Sequence, residues 1–549
     1  MINQTKKKFR NTIAGCLSIA LLTAFNLYAA EQLPSIILAV KNNDLTQTRA
    51  LINQEIDVNM PQADGATALH WAVHRDSVDA VRALVDAGAD VDAINDFGIM
   101  PLWLACENKN AEMARLLLKA GANPNNILMT GESILMTAAH YGNAEIVQLL
   151  LDAGADVNHT EPVRQQSALM WAIGEGNTDA ALLLVGADAE VNAKTTFSFT
   201  PLMFAARKGN LTVAKALIQA GANPNSETTY MGTNLYQYPG VNDKNRNDPG
   251  YSVLQVAVHR GKADLVDLLL ENGADPNYDA VGYSALQWAS GSWETSLDGV
   301  TGIRPSKEHE WYHMGGLREE KHRIIKSLLK HGADPNARLK KPPTRFGFSP
   351  NPRPTGATPY ILAAIAVDAE AMRILVEHGA DPTLVPNNTV PAILLASGVN
   401  RSLTNSLATE ENSLEAIKMA LSHGAKVTDT AKNGDTTLHG AAQMRMLKVI
   451  QFLYDEGADI YARNKRGLNP EYMAAHDLRG VGEVEVESSP TLDLVRELSK
   501  PTTLKNAIDE WSDVSLHVRE AVESLLSGEL ERIEKEAAEK AKKKPTTIQ

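Results

Sequence analysis

The sequence predicts an all-α solenoid, a row of short helical pairs stacked one on the next. Three observations carry this. A Gly-Ala-Asp/Asn turn recurs at Gly88, Gly121, Gly154, Gly221, Gly273, Gly332, Gly379 and Gly457, with a Gly-Ala-Lys variant at Gly424. A second marker precedes the turns, and its copies at Thr67, Met100, Ser133 and Ser167 follow one another at 33, 33 and 34 residues. Between marker and turn lie two short amphipathic stretches, each with apolar residues at three- and four-residue steps. Two such helices cannot bury their apolar stripes alone, so the copies must stack.

Residues 64–96 show the unit most clearly. Thr67 suits a helix start, because its hydroxyl can accept a bond from an unpaired backbone N–H. Leu69, Ala72 and Val73 fall on one face of the first helix, and Arg75-Asp76-Ser77 interrupt it. Val78, Val81, Leu84 and Val85 form the stripe of the second helix. Gly88 ends it, since a left-handed cap is cheap for glycine.

The first thirty residues are different in kind. Lys6, Lys7, Lys8 and Arg10 precede an apolar stretch from Ile13 to Leu27, and small residues follow at Ala29 and Ala30. That is the order of a secretory signal peptide, with cleavage expected after Ala29 or Ala30. An uncleaved anchor is the alternative, and Ile13-Ala-Gly-Cys16 also resembles a lipobox, although most of the apolar run follows Cys16. An exported chain, periplasmic or extracellular, is the expectation. No other stretch is long and apolar enough to span a membrane.

Composition excludes several classes. The 549 residues carry a net charge of −13, which argues against a nucleic-acid-binding surface. Removing the basic leader makes the remainder more acidic still. Two cysteines cannot build a disulfide framework. Aromatic residues are only 5% of the chain, as expected where each unit buries a thin Leu/Ala layer against its neighbour.

These motifs closely resemble the ankyrin repeat, with its T-P-L-H-x-A and G-A-D-V-N signatures. The resemblance runs from about Leu33 to about Leu498 and implies about twelve repeats, each a helix-turn-helix with a β-hairpin, over residues 31–499. The segment His331–Pro342 is similar to one found in exported bacterial ankyrin proteins. Departures from the pattern are informative. The family's histidine stands at His70 and His439 but is replaced by Met136, Met170 and Met203, which puts its hydrogen bonds in doubt there. Gly186-Ala187-Asp188-Ala189-Glu190 reads as a slipped turn that should distort the local register.

Marker spacing widens where inserts interrupt the array, near 229–249, 291–318, 338–356 and 398–412. Loops of that length are commonly functional or disordered. Tyr230, Tyr236, Tyr238, Tyr251, Trp293, Trp311 and Tyr312 make these aromatic-rich, which favours ordering. After residue 499 the repeat fades. Val514, Val518, Val522, Leu525, Leu526 and Ile533 suggest one more amphipathic helix before a charged tail, so 500–549 reads as a C-terminal cap.

One motif could carry chemistry. His309-Glu310-Trp311-Tyr312-His313 matches H-E-x-x-H, which on a helix sets two imidazoles on one face for zinc. Charged Lys307 and Glu308 precede it, Gly315-Gly316 end any helix at once, and neither Glu319, Glu320 nor His322 has a recognised third-ligand spacing. No nucleophile elbow, phosphate loop or dinucleotide fingerprint is present. Cys106 falls at the slot of Ala139 and Ala206 and reads as a small core residue. Trp71, Trp171 and Trp288 share a slot and read as packing. No catalytic residue, metal or cofactor is therefore assigned.

The resemblance implies protein binding, on a concave face built from hairpin tips and the ends of the first helices. Carried over by position, the helix-end candidates are His74, Arg75, Asn108, His140, Tyr141, Arg207, Lys208, His259 and Arg260. Hairpin-tip positions include Asp96-Phe97, Phe197-Ser198 and Val281-Gly282. A row of His, Arg, Tyr, Asn and Lys suits protein recognition. The expected protein is thus a monomeric, exported, non-enzymatic scaffold with a protein partner and no nucleic acid. The alternatives are metallopeptidase-like activity at the HEWYH insert and glycan binding by the aromatic inserts.

Overall fold

A computed structural model describes residues 35–229, 249–291, 318–341, 355–387, 389–399, 409–477, 484–485 and 488–499. The proposed leader, most of each insert, the HEWYH motif and the C-terminal helix lie outside the described residues.

Helices dominate and come in consecutive pairs. The first are α1 (Ser35–Lys41) with α2 (Leu45–Asn53), α3 (Ala68–His74) with α4 (Val78–Asp86), and α5 (Pro101–Glu107) with α6 (Ala111–Lys119). Then come α7 (Ile134–Tyr141) with α8 (Ala144–Asp152), α9 (Ala168–Glu175) with α10 (Thr178–Gly186), and α11 (Pro201–Lys208) with α12 (Leu211–Gln219). Next are α13 (Val253–His259) with α14 (Ala263–Glu271), α15 (Ala285–Ser290) with α16 (Arg318–Lys330), and α17 (Pro359–Ile365) with α18 (Ala369–Glu377). Then α19 (Ala392–Ala396) and α20 (Glu410–Ser422) follow in sequence, and the last pairs are α21 (Thr437–Gln443) with α22 (Leu447–Asp455) and α23 (Pro470–Ala475) with α24 (Pro490–Leu498).

The chain forms two compact units. One is Met1–Ala392 with Glu415–Ala425, and the other is Ile393–Leu414 with Lys426–Gln549. The first holds the pairs from α1 to α18, and the second the pairs from α21 to α24. Extended structure is sparse. In the first unit Glu227–Thr229 pairs antiparallel with Pro249–Ser252, with Glu227 opposite Ser252. In the second, His476–Asp477 pairs with Val484–Glu485.

The core of the first unit is a ladder of leucines. On the first helices Leu69, Leu102, Leu135, Leu169, Leu202, Leu254 and Leu286 are at most 2% exposed. On the second helices Leu84, Leu117, Leu150, Leu184, Leu217, Leu269, Leu328 and Leu375 are fully buried. Each contributes roughly 1.5–3 kcal/mol relative to exposure, and only because a neighbouring repeat covers it. Cys106 is fully buried in this layer, and burial pushes its thiol up to about 12.

Asparagines stitch the repeats together outside the core. Asn59 Nδ2 donates to the Gly88 carbonyl at 3.1 Å, and Asn59 Oδ1 accepts from the Asp90 amide at 2.7 Å. Asn125, Asn225, Asn277 and Asn336 make the same pair of bonds to their following repeats. These bonds satisfy helix-end carbonyls and turn amides that would otherwise go unpaired.

The histidine slot explains itself at atomic level. Thr67 N–H donates to His70 Nδ1 at 3.1 Å, so Nδ1 accepts and Nε2 carries the proton. Nε2 then donates to the Ile99 carbonyl of the next repeat at 3.0 Å. Glutamines reproduce both bonds. Gln287 Oε1 accepts from Ser284 N–H at 2.8 Å, and its Nε2 donates to the Ala337 carbonyl at 2.9 Å. Gln255 does the same with Ser252 and Tyr283. Met136, Met170 and Met203 stay buried, and Met136 offers only its sulfur to Ser133 N–H at 3.5 Å.

The expected register distortion after Gly186 does not occur. Gly186 is the last residue of α10, and Asp188 takes the left-handed conformation at φ 60°. It thus fills the slot that Gly154, at φ 86°, fills one repeat earlier. Glu190 N–H still donates to Asn158 Oδ1 at 2.7 Å, so the stitching is kept. Aspartate can do this because it is among the few non-glycine residues that tolerate that conformation.

Candidate functional site: the helix-end row

The helix-end candidates recur at one slot because every first helix has nearly the same length. His74, Tyr141, Lys208 and His259 are the last residues of their helices, and Arg75, Asn108 and Arg260 are the caps that follow.

His74 and Arg75 are both exposed. The His74 ring meets Trp71 edge-on at 5.7 Å. Partial burial and then the Arg75 charge hold its pKa below the usual value, so it is neutral near pH 7. Arg75 lines an open groove of about 470 Å³ with Asn43, Ser77, Asp79, Arg82 and Glu112. Asn108 is tied into the stack, its Nδ2 donating to the Val73 carbonyl of the preceding repeat at 2.7 Å.

His140 and Tyr141 form the middle of the row. The His140 ring lies 5.1 Å from Tyr141 and 5.4 Å from Trp171 of the next repeat. Its Nδ1 is 3.9 Å from the Glu175 carboxylate. Burial, and then the charges of Glu107 and Glu132, push the Tyr141 phenol up to about 12. It remains a neutral O–H at any physiological pH. The Arg207 guanidinium lies 5.8 Å from the centre of the Phe204 ring, a cation–π distance. Lys208 is exposed beside it.

The row changes character at His259. The expectation placed this side chain at the surface, yet it is 4% exposed. Tyr251, Tyr283 and Trp288 enclose it, with ring centres at 5.1, 6.1 and 3.9 Å. Its Nε2 has no hydrogen-bond partner, and burial pushes its pKa down to about 3. Arg260 beside it is half-buried. Tyr251 belongs to the strand that returns from the first insert, so the insert's own residue helps cover the site.

A buried charge cluster escaped the sequence reading. Lys321 Nζ meets Asp368 Oδ2 at 3.0 Å, and His322 Nε2 meets Asp368 Oδ1 at 2.8 Å. Asp368 also caps α18 by accepting from Ala371 N–H at 3.0 Å. Burial disfavours the carboxylate, but the His322 bond and the Lys321 charge outweigh it and hold Asp368 well below the usual range. His322, weighed above as a zinc ligand, is thus engaged by Asp368. Among the described residues no group of three or more His, Cys, Asp or Glu is placed to hold a metal ion. None of the described helices is long and apolar enough to cross a membrane.

Stacked helix pairs with hydrogen-bonded turns and a repeating row of polar helix ends define a repeat scaffold. The chain belongs to the ankyrin repeat family. The family described as ankyrin repeats in three copies matches residues 20–95, 36–128, 87–161 and 135–228. The single ankyrin repeat matches 250–280 and 433–465. An ankyrin repeat protein of Rickettsia felis is 24% identical over 254 residues, covering 41% of this chain and 61% of that protein. The chain therefore spans about three fifths of that relative's length. The crystal structure of the human ASB11 ankyrin repeat domain is 26% identical and covers 45% of this chain and 100% of that one, with a TM-score of 0.36. Ankyrin repeats are generally protein-binding scaffolds, typically without enzymatic activity.

Proposed function

We propose that the chain is an exported scaffold that holds a protein partner along the helix-end row from His74 to Lys208. Export is supported by the basic-then-apolar order of residues 1–30. The observation that carries the binding surface is the contact of His140 with Trp171 and Glu175 of the following repeat. It makes the polar ends of successive repeats adjoin, so that a partner can meet several at once. Arg75, Tyr141 and Arg207 are the side chains that offer the anchors typical of protein interfaces.

The test is affinity purification of the protein from its own cell envelope, with the captured proteins identified. Arg75→Glu, Tyr141→Ala and Arg207→Glu are expected to release a partner that the unaltered chain retains. Capture that survives all three together would overturn the reading of the row.

A further inference from the structure

Six of the eight large apolar side chains left exposed among the described residues fall together, Leu38 and Tyr461 lying elsewhere. The described large apolar side chains that stand well out of the surface include Met60, Ile94, Phe97, Ile127, Met129 and Val163, at 46% to 79% exposure. All six sit on the successive hairpins that precede the first helices. These hairpins adjoin. Asp96 N–H donates to the Asp64 carbonyl at 2.9 Å, joining the first two. A side chain at Gly98 would run into Met129 Cγ at 2.5 Å, so Met129 lies over the second hairpin. His159 Nε2 meets the Gly131 carbonyl at 2.8 Å, which joins the third to the fourth. The six side chains therefore line one ridge.

Along the middle of this ridge the charge has one sign, with Lys41, whose Nζ donates to Gln62 at 2.9 Å, and Arg164 standing at its two ends. Residues 50–74, 83–108 and 120–163 contain no Lys or Arg. They do contain Asp57, Asp64, Asp90, Asp92, Asp96 and Glu132, all exposed or half-buried. An apolar line with an acidic margin is complementary to one kind of partner segment.

We propose that the hairpin ridge from Met60 to Val163 docks a cationic amphipathic helix of a protein partner. The apolar face of that helix would lie against Phe97, Ile127 and Met129, and its Lys or Arg residues would face the aspartates. An acidic helix or an anionic lipid surface is repelled by the same margin. The inference rests on the scaffold reading and names the partner chemistry of the hairpin part of that face, beside the helix-end row.

The probe is a pair of synthetic 18-residue helical peptides with the same leucine face, one with a lysine polar face and the other with glutamate. Binding to the full chain is followed by fluorescence anisotropy. The lysine peptide is expected to bind at least about tenfold more tightly, and to weaken as salt is raised. Phe97→Ser combined with Met129→Ser should abolish that binding, and Asp96→Lys should weaken it by about threefold or more. Both positions are exposed, so circular dichroism should show an unchanged fold. Equal binding of the two peptides, no binding of either, or unchanged binding to the double variant would overturn the proposal. Arg75→Glu and Arg207→Glu should leave the peptide bound. If they release the captured partner while the ridge variants do nothing, the ridge assignment falls and the helix-end reading stands.

Discussion

Asn277 Nδ2 reaches the carbonyl of Gly332 at 2.8 Å across fifty-five residues of sequence. Asn59 makes the same bond to Gly88 at 3.1 Å across twenty-nine. The insert between them lengthens the chain without parting the repeats. Loop-closure cost rises only slowly with length, so an insertion at this point is cheap. Asn277→Ala should therefore destabilise the first unit by about 1–2 kcal/mol, and Asn59→Ala by a similar amount. Urea denaturation of the two variants should give similar losses. A negligible loss for Asn277→Ala alone would mean that the insert weakens the stitching.

Asp188 holds a conformation that costs an ordinary L-residue roughly 1–2 kcal/mol and glycine little. Asp188→Gly should raise stability by about 0.5–1 kcal/mol, and Asp188→Val should lower it. Thermal melts of the two variants would decide, and a drop on Asp188→Gly would show that the carboxylate contributes more than the backbone strain costs.

The Lys321–Asp368 pair predicts an asymmetry. The two side chains are 8% and 6% exposed, so Asp368→Asn strands a buried ammonium. That should cost about 3–5 kcal/mol. Lys321→Met leaves Asp368 with His322 and the Ala371 amide and should cost less. Acid should act through the same carboxylate. Its folded pKa is depressed, so its contribution is full above the unfolded value of about 4 and is lost as pH falls below it. Equal losses for the two variants would contradict this account.

His259 acts in a different pH window. Its folded pKa of about 3 lies below the unfolded value, so the unfolded chain binds the extra proton as pH falls. Stability is unaffected above about pH 6.5 and falls by up to about 1.4 kcal/mol per pH unit below it, down to the folded pKa. His259→Phe keeps the ring packing and removes the proton. The variant should match the parent at pH 8 and exceed it at pH 4.5 when unfolding is compared by urea titration. Parallel pH profiles would show that the imidazole is not desolvated as described.

Much of the fold was legible because ankyrin signals are local. Cap, stripe and turn all fall within one unit, and Thr67, Leu69, Leu84 and Gly88 take the positions their spacing implied. Reading failed where one side chain substitutes for another by geometry. Asp188 does the work of glycine, and Gln255 and Gln287 make both bonds of the family's histidine. Amide and imidazole share no obvious sequence likeness, yet both set an acceptor and a donor on opposite sides. Searching each histidine slot for donor–acceptor side chains would have found the glutamines.

The sequence by itself determined the stacked-pair architecture, since periodicity and capping are short-range properties. Only the tertiary structure decided which row positions face solvent. His74 and His259 share one slot, but the first is exposed and the second lies under Tyr251, Tyr283 and Trp288. The same holds for Asp368, whose partners lie more than forty residues earlier. Burial belongs to whichever neighbour covers a side chain, and in a repeat array that neighbour comes from another unit.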